Sequence, residues 1–135
     1  MTSIGVFAAL FDEQRRILCV KRNYRDYRWT LPGGRLEQHE DPITGVEREV
    51  YEETGYHITA GELIGVYSFP PKDDIVLFFA ADIIRHDAAW ELPAGELSAV
   101  SFFPVDALPE EFSEGARQRV KDAAAGKRGT MHVSK

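Results

Sequence analysis

The sequence predicts an α/β fold, a sandwich of helices on both sides of a mixed β-sheet, and three observations lead there. Short β-branched and aromatic runs are spread along all 135 residues. Two segments carry apolar residues at helical spacing instead, and those segments interleave with the strand-like runs. A chain of this length, 44% hydrophobic and 11% aromatic, supports one core rather than two, so residues 1–126 are expected to form one domain.

In chain order, residues 3–10 (SIGVFAAL) and 17–21 (ILCVK) are apolar strands separated by a polar turn and read as a hairpin. Residues 23–28 are polar and aromatic without a period. Residues 29–34 (WTLPGG) hold a proline and two glycines and read as a shaped loop without regular structure. Asp41 followed by Pro42 is a helix start, because the aspartate caps free N–H groups and proline suits the first helical position. Gly55 is the matching stop. Between them Ile43, Val46, Val50 and Thr54 form one apolar stripe that can pack on a sheet. Residues 62–68, 75–84 and 99–105 read as strands, with residues 69–74 and 86–95 as loops. Phe112, Ala116, Val120 and Ala123 mark a second helix, Gly126 its end, and residues 127–135 a loose tail.

The net charge of −6 opposes a general affinity for polymeric nucleic acid, whose backbone needs a basic surface. No apolar run is long enough to span a bilayer and the first residues lack the pattern of a secretory signal, so a cytoplasmic protein without membrane contact is expected. Cys19 is the only cysteine and reads as a small buried strand residue. His39, His57, His86 and His132 have no metal-ligand spacing. The charge is unevenly placed. Residues 1–35 carry Arg15, Arg16, Lys21, Arg22, Arg25, Arg28 and Arg35 against Asp12, Glu13 and Asp26. Residues 36–62 carry eight acids against Arg48 alone. Such a pair of clusters is either two solvated faces or a cation site beside an anion site.

Glu49, Glu52 and Glu53 stand at i, i+3 and i+4 in the first helix, within about a third of its circumference and away from the apolar stripe. Like charges at that spacing repel. Arg48 can compensate one of them, and a hard divalent cation, which prefers carboxylate oxygen, can compensate the others. Glu47 lies nearer the apolar stripe and serves as the comparison residue.

From Gly34 the sequence GRLEQHEDPITGVEREVYEETGY resembles the Nudix box. Every fixed position is filled, by Gly34, Glu40, Arg48, Glu49, Val50, Glu52, Glu53 and Gly55, with Tyr56 in the last apolar slot. A chance match is on the order of one in a billion per start site. The flanks, ILCVKR before WTLPGG and SAVSFFPVDAL at residues 98–108, are similar to the family's with less specificity. Gly45 departs from the alanine common there, and a mid-helix glycine costs about 1 kcal/mol relative to alanine.

The resemblance implies a Nudix-type α/β/α sandwich and a pyrophosphohydrolase that cleaves a diphosphate linkage in a nucleoside diphosphate joined to another moiety, such as a nucleoside triphosphate, an ADP-ribose-like molecule or a nucleotide sugar. It implies Mg²⁺ or Mn²⁺ held by Glu49, Glu52 and Glu53 with a main-chain carbonyl from the Gly33–Gly34 turn, Gly34 being the named candidate. Glu52 or Glu53 acts as general base on a metal-bound water, and Arg48 orients the carboxylates through Glu52 or Glu40. Arg22 is the candidate phosphate contact, ahead of Arg25 and Arg28. Glu37 and Glu40 can touch metal-bound water. Glu96, Asp73 and Asp74 are candidates for a further carboxylate from a later loop. Tyr67, Phe69 and Phe78 are core or pocket aromatics. A homodimer is expected. The competing readings are a non-catalytic nucleotide-binding module on the same fold, which the intact box disfavours, and an isoprenoid diphosphate isomerase, which lacks a reactive cysteine here because Cys19 falls on an early strand.

Overall fold

The computed structural model describes all residues, Met1–Lys135. Its strands are β1 (Ser3–Ala9), β2 (Arg16–Arg22), β3 (Trp29–Thr30), β4 (Gly33–Arg35), β5 (Tyr56–Phe69), β6 (Asp74–His86), β7 (Leu97–Pro104) and β8 (Thr130–Val133), and its helices are α1 (Pro42–Thr54) and α2 (Glu114–Ala124).

The expected mixed sheet is present, and a second sheet stands beside it. The mixed sheet has the order β4-β1-β6-β5-β8, and the other is antiparallel, in the order β3-β2-β7. Within the larger sheet β1 runs parallel to β6, and β5 is antiparallel to β6 and parallel to β8.

The expected hairpin of the first two strands survives only at its turn. The Asp12 N–H donates to the Arg16 carbonyl at 3.0 Å and Phe11 pairs with Ile17. Beyond that point β1 joins β4 and β6 whereas β2 joins β3 and β7. Apolar alternation fixes that each segment is extended, not which sheet receives it. Residues 29–34, expected to be irregular, contribute two short strands, because Pro32 lies between the pairing segments rather than inside one, and Gly33 opens β4 opposite Phe7. The expected loose tail contributes β8 on the open edge of β5. Its side chains are mostly exposed, so main-chain pairing orders a segment that offers no apolar signal.

Helix α1 forms as expected. Asp41 Oδ1 accepts the Thr44 N–H at 2.9 Å, and Gly55 ends the helix in the left-handed region at φ 76°. Val46, Val50 and Thr54 are buried, but Ile43 in the first turn is exposed and Gly45 is buried in its place.

Alternation along the first strand divides the core. Val6, Ala8 and Leu10 pack with Val46 and Val50 of α1, and Phe7, Ala9 and Phe11 pack with Phe112, Ala116 and Val120 on the α2 side. The helices therefore cover opposite faces, as the sandwich requires. Cys19 is fully buried in the second cluster and burial pushes its thiol up to about 12, so it is inert packing. Tyr67 and Phe78 also belong to that core, and Tyr67 donates to Asp122 at 2.6 Å. No helix is long and apolar enough to cross a membrane.

Candidate active site

The pleat of β1 and β2, the β4 turn and the inward face of α1 border a cleft of about 450 Å³, lined by residues that include Phe7, Arg22, Gly33, Gly34, Glu49, Glu53 and Glu96. Glycine at 34 lets the helix carboxylate approach the strand: a Cβ there would lie 2.5 Å from Glu49 Cδ. Glycine at 33 has φ 151° and would place a Cβ 2.2 Å from the Val6 carbonyl oxygen. Both box-proximal glycines are thus demanded by close contact.

Arg48 is the hub. Its Nε and Nη2 donate to the two oxygens of Glu40 at 2.7 and 2.9 Å, and its Nη1 donates to Glu49 at 3.0 Å and Glu52 at 3.1 Å. Nη2 also reaches the Arg35 carbonyl at 3.4 Å, and Glu37 stands 3.5 Å away at the exposed rim. The Arg48 bond holds the Glu40 carboxyl below its ordinary range, helped by the Glu37 N–H. Both partners expected for Arg48 are therefore present, and Glu49 is a third. Gly45 makes room for this arrangement, since a Cβ there would lie 2.6 Å from Leu36 Cδ1 and 2.9 Å from Glu40 Oε1. Its departure from alanine has a packing reason.

Glu53 is in a different state. It accepts the Gly33 N–H at 2.8 Å and has no cationic partner among the ion pairs of α1. Burial pushes its carboxyl up to about 8 despite the Gly33 bond, with repulsion from Glu49, Glu96 and Glu52 adding to the rise. Glu49 is raised by the same burial, partly offset by Arg48. The site is thus a desolvated patch of carboxylate oxygens short of positive charge. That donor set fits a hard divalent cation.

Glu49, Glu52 and Glu53 point to different partners, and no three candidate ligands stand together as a ready-made cation cage. Arg48 draws Glu49 and Glu52 to itself while the Gly33 N–H draws Glu53.

The remaining expected residues divide. Arg22 lines the cleft and pairs with Asp26 at 3.3 Å; Arg25 lines it as well, whereas Arg28 pairs with Asp26 outside it. Glu96 and Asp74 line the cleft. Asp73 does not: it accepts from the Thr2 hydroxyl at 2.9 Å in a left-handed turn at φ 54°. Phe69 is also outside, under the Lys72 ammonium. Glu47 is no inert comparison residue, because its Oε2 accepts the Ala60 N–H at 2.9 Å where β5 shifts register.

The NUDIX domain family profile matches residues 1–123. The chain belongs to the Nudix family. A MutT-like protein of Streptomyces ambofaciens is 36% identical to this Nudix chain over 124 residues, covering 92% of the chain and 78% of that protein. An ADP-ribose pyrophosphatase of Methanocaldococcus jannaschii is 33% identical over 108 residues, covering 75% of the chain and 62% of that protein. Among solved structures, an ADP-ribose pyrophosphatase from Streptococcus suis superposes with a TM-score of 0.80 over 97% of the chain and 99% of its own, at 23% identity, which speaks for the Nudix fold.

Sequence reasoning missed several cleft residues. Phe7 lines the cleft and carries the buried Arg119 guanidinium 5.0 Å from its ring centre. Tyr24 lines it beside Arg25, whose guanidinium sits 5.7 Å from the ring. Thr30 and Arg35 line it too. Tyr24 alone carried a signal, as an aromatic side chain in an otherwise polar loop.

Proposed function

We propose that this chain hydrolyses a phosphoanhydride linkage in a nucleoside diphosphate joined to another moiety, using Mg²⁺ or Mn²⁺ held by Glu49, Glu52, Glu53 and the Gly34 carbonyl. The observation that carries this reading is Glu53, a desolvated carboxyl that lines the cleft with Glu49 and Glu96 and has no cationic partner. Such a group keeps its proton unless a positive charge stands beside it, and a divalent cation would supply that charge. The cleft is of the size that admits a small molecule.

A divalent cation held there supplies charge neutralisation of the diphosphate oxygens and a water of lowered pKa. The residues do the rest. Arg48 keeps Glu40, Glu49 and Glu52 in fixed positions and is a positioning residue. Glu52 or Glu53 would take the proton from the attacking water; Glu52 is the more exposed, and Glu53 would serve as base only in its ionised form. Arg22, which can leave Asp26 for a better anion, contacts a phosphate oxygen bidentately. Glu96, just before β7, and Asp74, at the start of β6, supply further oxygens. We further propose a cytoplasmic homodimer, since small members of the family often pair and a domain of this size gains stability from burying more surface.

The test is a panel of nucleoside triphosphates, ADP-ribose and nucleotide sugars incubated with Mg²⁺ or Mn²⁺, with products identified by mass. Cleavage between two phosphorus atoms supports the reading. Binding of panel compounds with no turnover overturns it in favour of a non-catalytic nucleotide-binding module.

A further inference from the structure

The last turn of α1 carries Glu52 and Glu53, and it is the part of the helix with least intrinsic support. A helix end leaves its final carbonyl groups without donors of its own, and these carboxylates repel one another. One segment that does not line the cleft, residues 86–90, meets two of those carbonyls and that of the cap residue Gly55. The Trp90 indole N–H donates to the Glu52 carbonyl at 2.9 Å, and the Asp87 N–H donates to the Gly55 carbonyl at 2.9 Å. His86 Nε2 stands 3.0 Å from the Thr54 carbonyl, which assigns the hydrogen to that nitrogen. The segment is tied back one turn earlier, where the Tyr51 hydroxyl donates to Asp87 Oδ2 at 2.6 Å.

Gly55 seats the two rings. Its φ of 76° ends the helix, and a Cβ there would lie 2.7 Å from Trp90 Cγ and 2.8 Å from His86 Nε2. The His86 ring packs edge-on against Trp90 and Tyr56, with centroids 5.9 and 4.7 Å apart.

We propose that residues 86–90 form a clamp that keeps the carboxylate-bearing turn of α1 wound, with Trp90 and His86 as positioning residues for Glu52 and Glu53. The role of the clamp rests on the metal-dependent reading of the site given above. Glu52 is the residue whose own carbonyl Trp90 holds, and Glu53 follows it directly. Unwinding this turn moves Glu53 off the Gly33 N–H and Glu52 off Arg48, and so disperses the oxygens proposed to hold the cation.

Trp90→Phe in the full chain keeps an aromatic ring and removes the donor. Three quantities are read: amide hydrogen exchange in chelator, Mn²⁺ affinity, and steady-state kinetics on the best panel substrate. Exchange at the Thr54 and Gly55 amides should rise about fivefold or more while Val46 and Val50 stay as they are, as expected for loss of one hydrogen bond. Mn²⁺ affinity should fall about tenfold, and kcat should fall by a similar factor with KM nearly unchanged.

Unaltered exchange at the helix end overturns the clamp. Faster exchange with unaltered Mn²⁺ affinity and kcat overturns the positioning role and leaves a stabilising contact. If Trp90→Phe does not fold, Tyr51→Phe cuts the tie to Asp87 and is read in the same way. If the native chain turns over no panel compound, the proposed activity fails on its own, and the clamp is still decided by exchange and Mn²⁺ affinity.

Discussion

Replacing Glu53 by glutamine preserves the side-chain size and an acceptor for the Gly33 N–H but removes the carboxyl whose ionisation the cleft opposes. In the metal-free protein the folded carboxyl titrates at about 8, against an ordinary value of 4.5. Below pH 4.5 the group is protonated in both the folded and unfolded states and contributes nothing. Between pH 4.5 and 8 the unfolded chain ionises while the folded chain keeps its proton, so the native state loses stability as pH rises. The full separation corresponds to a ceiling of ~5 kcal/mol at alkaline pH. Water entering the open cleft lowers this, and we expect about 2 kcal/mol or more. The assay is denaturant unfolding of the native chain and Glu53→Gln in chelator at several pH values. Carboxyls held low in the fold, such as those of Asp41 and Asp122, are common to both proteins and cancel in the difference. The variant should match the native chain near pH 4.5 and exceed it increasingly towards pH 8. Mn²⁺ should then stabilise the native chain more than the variant, because the cation replaces the missing positive charge. Parallel pH curves would refute the reasoning, since they would mean that Glu53 is neither desolvated nor crowded.

Two further outcomes follow from the same geometry. Glu52→Gln should lower kcat by about 10²-fold with little change in chain stability, measured by steady-state turnover beside Glu91→Gln as control, since Glu91 is exposed and outside the cleft. Gly34→Ala is tolerated by its backbone but directs a Cβ into the Glu49 carboxyl; displacing that ligand by about 1 Å should lower kcat by about 10²-fold while thermal unfolding shifts little, and equal losses in both would mean general disruption.

What could be read in the sequence follows from where the information is local. Helix α1 was legible because Asp41, Pro42 and Gly55 each act on their own neighbours, and the spacing of Glu49, Glu52 and Glu53 is fixed once the helix exists. The pairing of Arg48 with Glu52, four residues on, was legible for the same reason, whereas Glu40 was a candidate only through the box resemblance. The destination of the strands was not. Val6 and Phe7 face opposite cores, and nothing in their alternation separates β1 from β2 into different sheets. Thr130–Val133 gave no apolar pattern because main-chain pairing to β5 orders them. The far side of the cleft was less legible: Glu96 was a candidate as a carboxylate from a later loop, but Phe7 and Tyr24 join it only through tertiary folding. Glu47 was misjudged because its partner, the Ala60 N–H, is made available by a bulge in β5. The contacts of Trp90 and His86 with the end of α1 depend on the turn after β6, which no local pattern specified.

The central claim is that water attacks phosphorus with a divalent cation held by the α1 carboxylates. The measurement that tests it most directly is turnover of the best panel substrate in ¹⁸O-labelled water, with Mg²⁺ or Mn²⁺ and again after chelation. The account predicts one labelled oxygen on a phosphoryl product, full dependence on the cation, and recovery when the cation is restored. Undiminished turnover in the chelated protein, or label found only on a carbon-bound oxygen, would contradict it.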